Sequence, residues 1–119
     1  SGDIRDLEDA AAKGNARAKL ALDVFTSEIR RHLGGMLVEL GGADAIVFTG
    51  GIGENGTNIR SAVCASLSEL GIVLDDKANA SAKGEGKISS PDSRTQIWII
   101  PTNEELIVAR QSKALLEGQ

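Results

Sequence analysis

Between Phe48 and Gly56 the chain reads FTGGIGENG, and Gly51, Gly53 and Gly56 within it fit the spacing G-x-G-x-x-G. A glycine turn between an apolar run and a helix leaves backbone N–H groups unobstructed by side chains, so it can cradle the phosphates of a nucleotide. One chemistry that fits is the pyrophosphate turn of a dinucleotide-binding protein, with Asp75-Asp76, about 20 residues on, as the ribose contact. The other is a loop for a different phosphorylated ligand. Glu54 weighs against the first, because a carboxylate between the second and third glycines repels a docking pyrophosphate. Chain order weighs the same way, since a long, mostly helical stretch precedes the strand with which a dinucleotide fold begins. A P-loop is excluded, as no Gly-Lys-Ser/Thr follows. A turn that binds nothing is the bland alternative.

A second chemical stretch is IIPTNEEL, residues 99–106. Thr102 and Glu105 have the spacing of a helix capping box, and both glutamates favour a helix N-terminus. The box employs only Glu105. Glu104 is left over at the carboxyl end of an apolar strand, where a carboxylate can serve a Mg²⁺–nucleotide complex. The third stretch is DIRDLED, residues 3–9. Asp3 and Arg5 read either as the charged first turn of a helix or as a pair at the rim of a nucleotide pocket, and from the residues alone the helix turn is preferred. His32, the sole histidine, borders an apolar face and reads as a packing residue, without partners for a triad or a metal cluster. Cys64 reads as a small buried hydrophobe and Trp98 as core.

These groups need elements to hold them. Leu22, Phe25, Ile29, Leu33, Met36 and Leu40 recur at steps of three and four, which predicts a helix over 15–40. Gly34-Gly35 marks a kink, a helix end or a close approach, and Gly41-Gly42 ends the helix. Residues 45–49 and 97–100 are short apolar runs, expected as strands buried on both faces. Between them lies a second helix carrying Ile59, Val63, Leu67 and Leu70, with Asn55 or Thr57 as its N-cap. GIVLDD reads as a short strand and 77–94 as a long loop. A last helix is expected from about Asn103 to Leu116. The order is α/β layering with right-handed crossovers. Two or three strands leave sheet edges uncovered, so the sheet is expected to be incomplete and the chain a piece of something longer.

Composition narrows the class further. With 119 residues, 41% of them apolar and 25% charged, the chain fits one modest globular domain rather than a disordered one. Net charge is −4 and Arg30-Arg31 is the only adjacent basic pair, which argues against a nucleic-acid surface. A single cysteine excludes an internal disulfide and a CxxC zinc site and fits a reducing, cytoplasmic setting. No apolar run approaches the roughly 20 residues that span a bilayer, and no signal-peptide pattern opens the chain.

Taken together and in this order, DAIVFTGGIGENGTNIR, LGIVLD, ISSPDS and IPTNEELIVAR resemble the C-terminal part of the acetate kinase family, from Asp3 to about Ser112. The resemblance implies a portion of the second, nucleotide-binding domain of a sugar kinase/actin-like (ribonuclease H-like) α/β fold, with the upstream domain absent from residues 1–119. It implies reversible phosphoryl transfer from ATP to acetate, giving ADP and acetyl phosphate, with Mg²⁺. By motif, Gly51, Ile52, Gly53, Glu54 and Asn55 line the nucleotide site, Asp3, Ile4 and Arg5 lie near the adenosine, and Glu104 is the Mg²⁺ carboxylate. The family's catalytic Asp, Arg and His and its acyl pocket match nothing here, His32 included, so the isolated chain is expected to lack kinase activity. Gly56-Thr57 departs from the Ser-Pro that often follows the motif. Homodimers are implied as well. Rival readings are a propionate or other short-chain acyl kinase, an NAD-dependent oxidoreductase fragment, and a non-catalytic nucleotide-binding or dimerisation module.

Overall fold

The computed structural model of the chain describes residues 2–51, 56–101 and 106–109. Helix α1 (Gly2–Ala12) and helix α2 (Ala16–Leu40) pack together as a hairpin. Asn15 starts α2, its side chain accepting from the Ala18 amide at 3.0 Å, and Gly41 stops it at φ 71°, a conformation that disfavours any residue with a Cβ. The predicted apolar face holds through Leu22, Phe25, Ile29 and Leu33, then continues on Leu37 rather than on exposed Leu40. Gly34 and Gly35 neither end the helix nor admit a neighbour: a Cβ at either position would meet nothing within 4 Å.

Strand β1 (Ala45–Phe48) is followed along the chain by α3 (Thr57–Cys64), a 3₁₀ turn (Ser68–Leu70) and a short helix α4 (Asp76–Ala80). Strands β2 (Gly86–Lys87), β3 (Gln96–Ile99) and β4 (Leu106–Ala109) complete a four-stranded sheet of order β2-β3-β1-β4. β1 and β3 run parallel, with Ala45 opposite Gln96 and Phe48 opposite Ile99. Ile46 and Phe48 with Ile97 and Ile99 meet Leu33 of α2 and Ile59 and Val63 of α3 in one core, closed by Ile72 and Ile88.

Several expectations change. The strands are buried on one face only: Val47 and Trp98 lie on the other, half-buried, and the Trp98 indole donates to Gln96 Oε1 at 2.9 Å instead of filling the core. The stretch 77–94 is not one loop, since it holds most of α4 and all of β2. GIVLDD contributes a single bridge, Leu74 to Ser89, rather than a strand. The last helix is replaced over 106–109 by β4, antiparallel to β1 with Phe48 opposite Leu106. Leu-Ile-Val-Ala suits a strand, and its pairing covers the edge of β1 that a helix would leave open. Thr102 and Glu105 of the expected capping box lie outside the described residues. No helix among the described residues is long and apolar enough to cross a membrane.

Candidate functional site

Parallel pairing fixes where the two chemical stretches emerge. β1 and β3 point the same way, and the Ile100 amide still donates to Phe48 O at 2.9 Å beyond the last paired residues. Gly50, after Thr49, and Pro101, after Ile100, therefore lie at the same carboxyl edge of the sheet. Leu106, at the other end of the segment that contains Glu104, also pairs with Phe48 at that edge. Of the residues read as a nucleotide site, Ile52, Gly53, Glu54, Asn55 and the metal candidate Glu104 lie outside the described residues.

The remaining candidates sit on two elements. Gly51 is half-buried directly after β1. Asp3, Ile4 and Arg5 belong to the first turns of α1, where Ile4 is half-buried against the core and Arg5 is exposed. A glycine not singled out from spacing, Gly50, begins a helical stretch with Gly51 just past Thr49, with φ 61° in the left-handed region. Thr49, just before it, is 0% exposed, and its hydroxyl makes no hydrogen bond with the described residues.

α3 opens at Gly56, which makes no side-chain cap, so Thr57 is not its N-cap, and the other candidate, Asn55, lies outside the described residues. Its first turn is held from the side. Arg60, 1% exposed, donates through Nε to Asn79 Oδ1 at 2.6 Å, and through Nη2 to Thr57 Oγ1 at 3.1 Å and Asn79 O at 3.2 Å. The Asn79 amide donates in turn to Thr57 O and Ser61 Oγ, both at 3.0 Å. Burial lowers the Arg60 pKa from its ordinary value. The signal for this cation was present in the sequence: Ile59, Arg60, Val63 and Cys64 form one helical face, and all four are buried.

Burial pushes the Cys64 thiol up to about 12, against the opposing influence of Arg30 and Arg60, which makes it a buried hydrophobe as read from the sequence. His32 is exposed on α2 beside Glu28, Arg31 and Glu39 rather than packed. Asp75, the ribose candidate of the dinucleotide reading, caps α4 by accepting from the Ala78 amide at 3.0 Å. That employment leaves only exposed Asp76 of the acidic pair for a ribose, and the helical hairpin before β1 weighs further against a dinucleotide turn. No group of three or more His, Cys, Asp or Glu side chains among the described residues is arranged to hold a metal.

A glycine turn at the carboxyl edge of a parallel strand pair, followed by a helix, is the layout of a nucleotide-binding α/β domain. The acetokinase family profile matches residues 1–110. An acetate kinase of Methanosarcina barkeri is 49% identical over 119 residues, all of this chain and 29% of that protein. The crystal structure of Porphyromonas gingivalis acetate kinase superposes with a TM-score of 0.80 at 40% identity, over 87% of this chain and 26% of that one. A propionate kinase from Francisella tularensis gives 0.73 at 38% identity, over 86% and 26%. The chain belongs to the acetokinase family, and it spans under a third of the length of the relatives it matches.

Proposed function

We propose that this chain is the nucleotide-side part of a short-chain carboxylate kinase that transfers the γ-phosphoryl group of ATP to acetate and runs in reverse from acetyl phosphate and ADP. In the forward direction the bond from γ-phosphorus to the ADP oxygen breaks and a bond to a carboxylate oxygen forms. The observation that carries the reading is the shared carboxyl edge. The glycine turn and both flanks of Glu104 meet beside Phe48, in a chain of the acetokinase family.

The described residues fit a bound phosphate. Gly50 carries the backbone off β1 at φ 61° without a side chain, and the first amides of α3 have no intrahelical acceptors and no capping side chain among the described residues. In this reading Gly51, Ile52, Gly53, Glu54 and Asn55 line the nucleotide, Asp3, Ile4 and Arg5 border the adenosine, and Glu104 holds Mg²⁺. A cation there neutralises phosphate charge that builds during transfer. The acceptor pocket and the catalytic side chains belong to sequence outside residues 1–119, in an upstream domain. Acetate and propionate therefore remain joint candidates, and the propionate kinase likeness keeps the second in view. In this reading the setting is cytoplasmic and the assembly a homodimer, and exposed Leu20, Val24 and Val38 along α2 support the second of these.

A thermal-shift titration tests it, with Mg-ADP and NADH in parallel and Glu104→Ala as the control. Mg-ADP at 100 times its dissociation constant stabilises the fold by about 2.7 kcal/mol. The expected result is a shift with Mg-ADP that shrinks in the variant and when EDTA replaces Mg²⁺. A shift with NADH alone would return the dinucleotide reading.

A further inference from the structure

We infer that Arg60 and Asn79 are positioning residues for nucleotide binding: the pair ties α4 to the first turn of α3 and so fixes the helix that opens directly after the glycine loop. The inference rests on the nucleotide reading above and adds two residues that the glycine motif does not contain.

A guanidinium is expensive to bury unless its donors are satisfied, and Arg60 is the largest fully buried side chain among the described residues. Its surroundings are built for it. Asn79, also 1% exposed, presents both Oδ1 and its backbone carbonyl to the guanidinium. With Oδ1 committed to Arg60, the amide nitrogen is oriented onto Thr57 O and Ser61 Oγ. Arg60 also reaches Thr57 Oγ1, and its own amide donates to Gly56 O at 2.7 Å. Four of the six residues from Gly56 to Ser61 are thus bonded within one network.

The network stands where a helix cap is missing. A side-chain cap at the N-terminus ordinarily fixes how a chain enters its helix, and Gly56 supplies none. A cap would also occupy amides that an anionic ligand can use. Bracing the turn laterally leaves those amides available. The brace is anchored in turn: the Asn79 amide donates to Asp75 O, and the Asp75 amide donates to Ile88 O, each at 2.9 Å. Ile88 lies next to β2 and its amide donates to Ile97 O of β3 at 2.7 Å. Gly56, where α3 opens, is therefore tied to the sheet through Arg60, Asn79 and α4.

The test combines amide hydrogen exchange with calorimetric titration of Mg-ADP on the 119-residue chain and on Asn79→Ala, Asn79→Asp and Ile72→Val. The last variant loosens the core without touching the network. Asn79→Ala is expected to speed exchange in peptides covering residues 56–65 while β3 keeps its protection, and to weaken Mg-ADP by roughly tenfold, the scale of lost hydrogen bonds to a charged group. Asn79→Asp keeps the acceptor for Arg60 and loses the two donors, so a smaller loss is expected. It decides the question if Asn79→Ala shows no cooperative melt. Ile72→Val should bind within about twofold of the parent. If the parent binds Mg-ADP and Asn79→Ala binds equally well, or if Ile72→Val loses as much affinity, the positioning role is overturned. A parent chain that does not bind Mg-ADP overturns the nucleotide reading and the positioning role with it. Unchanged exchange in Asn79→Ala refutes the brace itself.

Discussion

Thr49 carries a buried hydroxyl without a bond to the described residues, at the last position before the glycine turn. An unsatisfied buried polar group costs about 1–3 kcal/mol, and valine has nearly the same shape without the hydroxyl. Thr49→Val is therefore expected to raise the stability of the unliganded chain by about 1 kcal/mol, measured by urea unfolding. A loss of stability would show that the hydroxyl has a partner in the folded chain. Cys64 gives a second expectation at this scale. Its folded pKa is raised to about 12, so the native state keeps a proton that the unfolded state releases at lower pH. That contribution to stability is complete below the ordinary thiol range and is lost as pH rises from about 9 towards 12. Cys64→Ala should flatten the alkaline limb of the stability curve, and thiol labelling of the parent at pH 8 should follow global unfolding rather than fast local access. Cys64 was legible from its place beside Val63 in the sequence. The Arg60–Asn79 pairing was not, because 19 residues separate partners that only folding brings together.

Among the elements, α3 depends on a residue from another helix. It is only eight residues long, too short to be stable alone in water, and it has no basic residue in its last turn. Arg30 of α2 supplies that charge, its Nη1 donating to Val63 O and Ala65 O at 2.8 Å and to Ala62 O at 3.4 Å. These are carbonyls at the C-terminal end, where a cation is favourable with the helix dipole. Arg30→Ala is expected to destabilise the chain by about 1–2 kcal/mol. Arg30→Lys should recover part of this, since a single nitrogen makes all three contacts and an ammonium keeps the charge and three donors on a shorter side chain. Equal stability of all three in urea would rule the cap out. Read from sequence, Arg30-Arg31 was merely an adjacent basic pair. The structure separates them: Arg31 points along its own helix to Glu28 at 3.4 Å, in an exposed pair of little energetic weight.

For the whole molecule, the core lies on one face of the sheet and the other face is only half covered. Val47, Trp98 and Ile100 present an apolar surface there that is neither fully buried nor polar. A chain under a third as long as its relatives is expected to bind the nucleotide without completing the reaction. Phosphoryl transfer requires a positioned acceptor as well as charge neutralisation around the γ-phosphate, and on the reading proposed above this chain supplies only the Mg²⁺ carboxylate. The purified chain with Mg-ATP and acetate is therefore expected to form no acetyl phosphate in a hydroxamate assay. Turnover above background would mean that the chain holds a complete acceptor site.

The sequence by itself determined the α/β class, the long helix with its glycine stop, the two parallel strands and the family motifs. Each of these rests on local information: helical periodicity, a run of β-branched residues, a glycine that tolerates positive φ. Tertiary structure alone decided three further matters. It made Leu106–Ala109 a strand, because the free edge of β1 outweighs the helix signals of TNEE. It gave Asp75 to the N-cap of α4. It also buried Arg60 against Asn79, because the bonds that repay the burial of a cation come from an element far along the chain, and spacing within a motif carries no record of them.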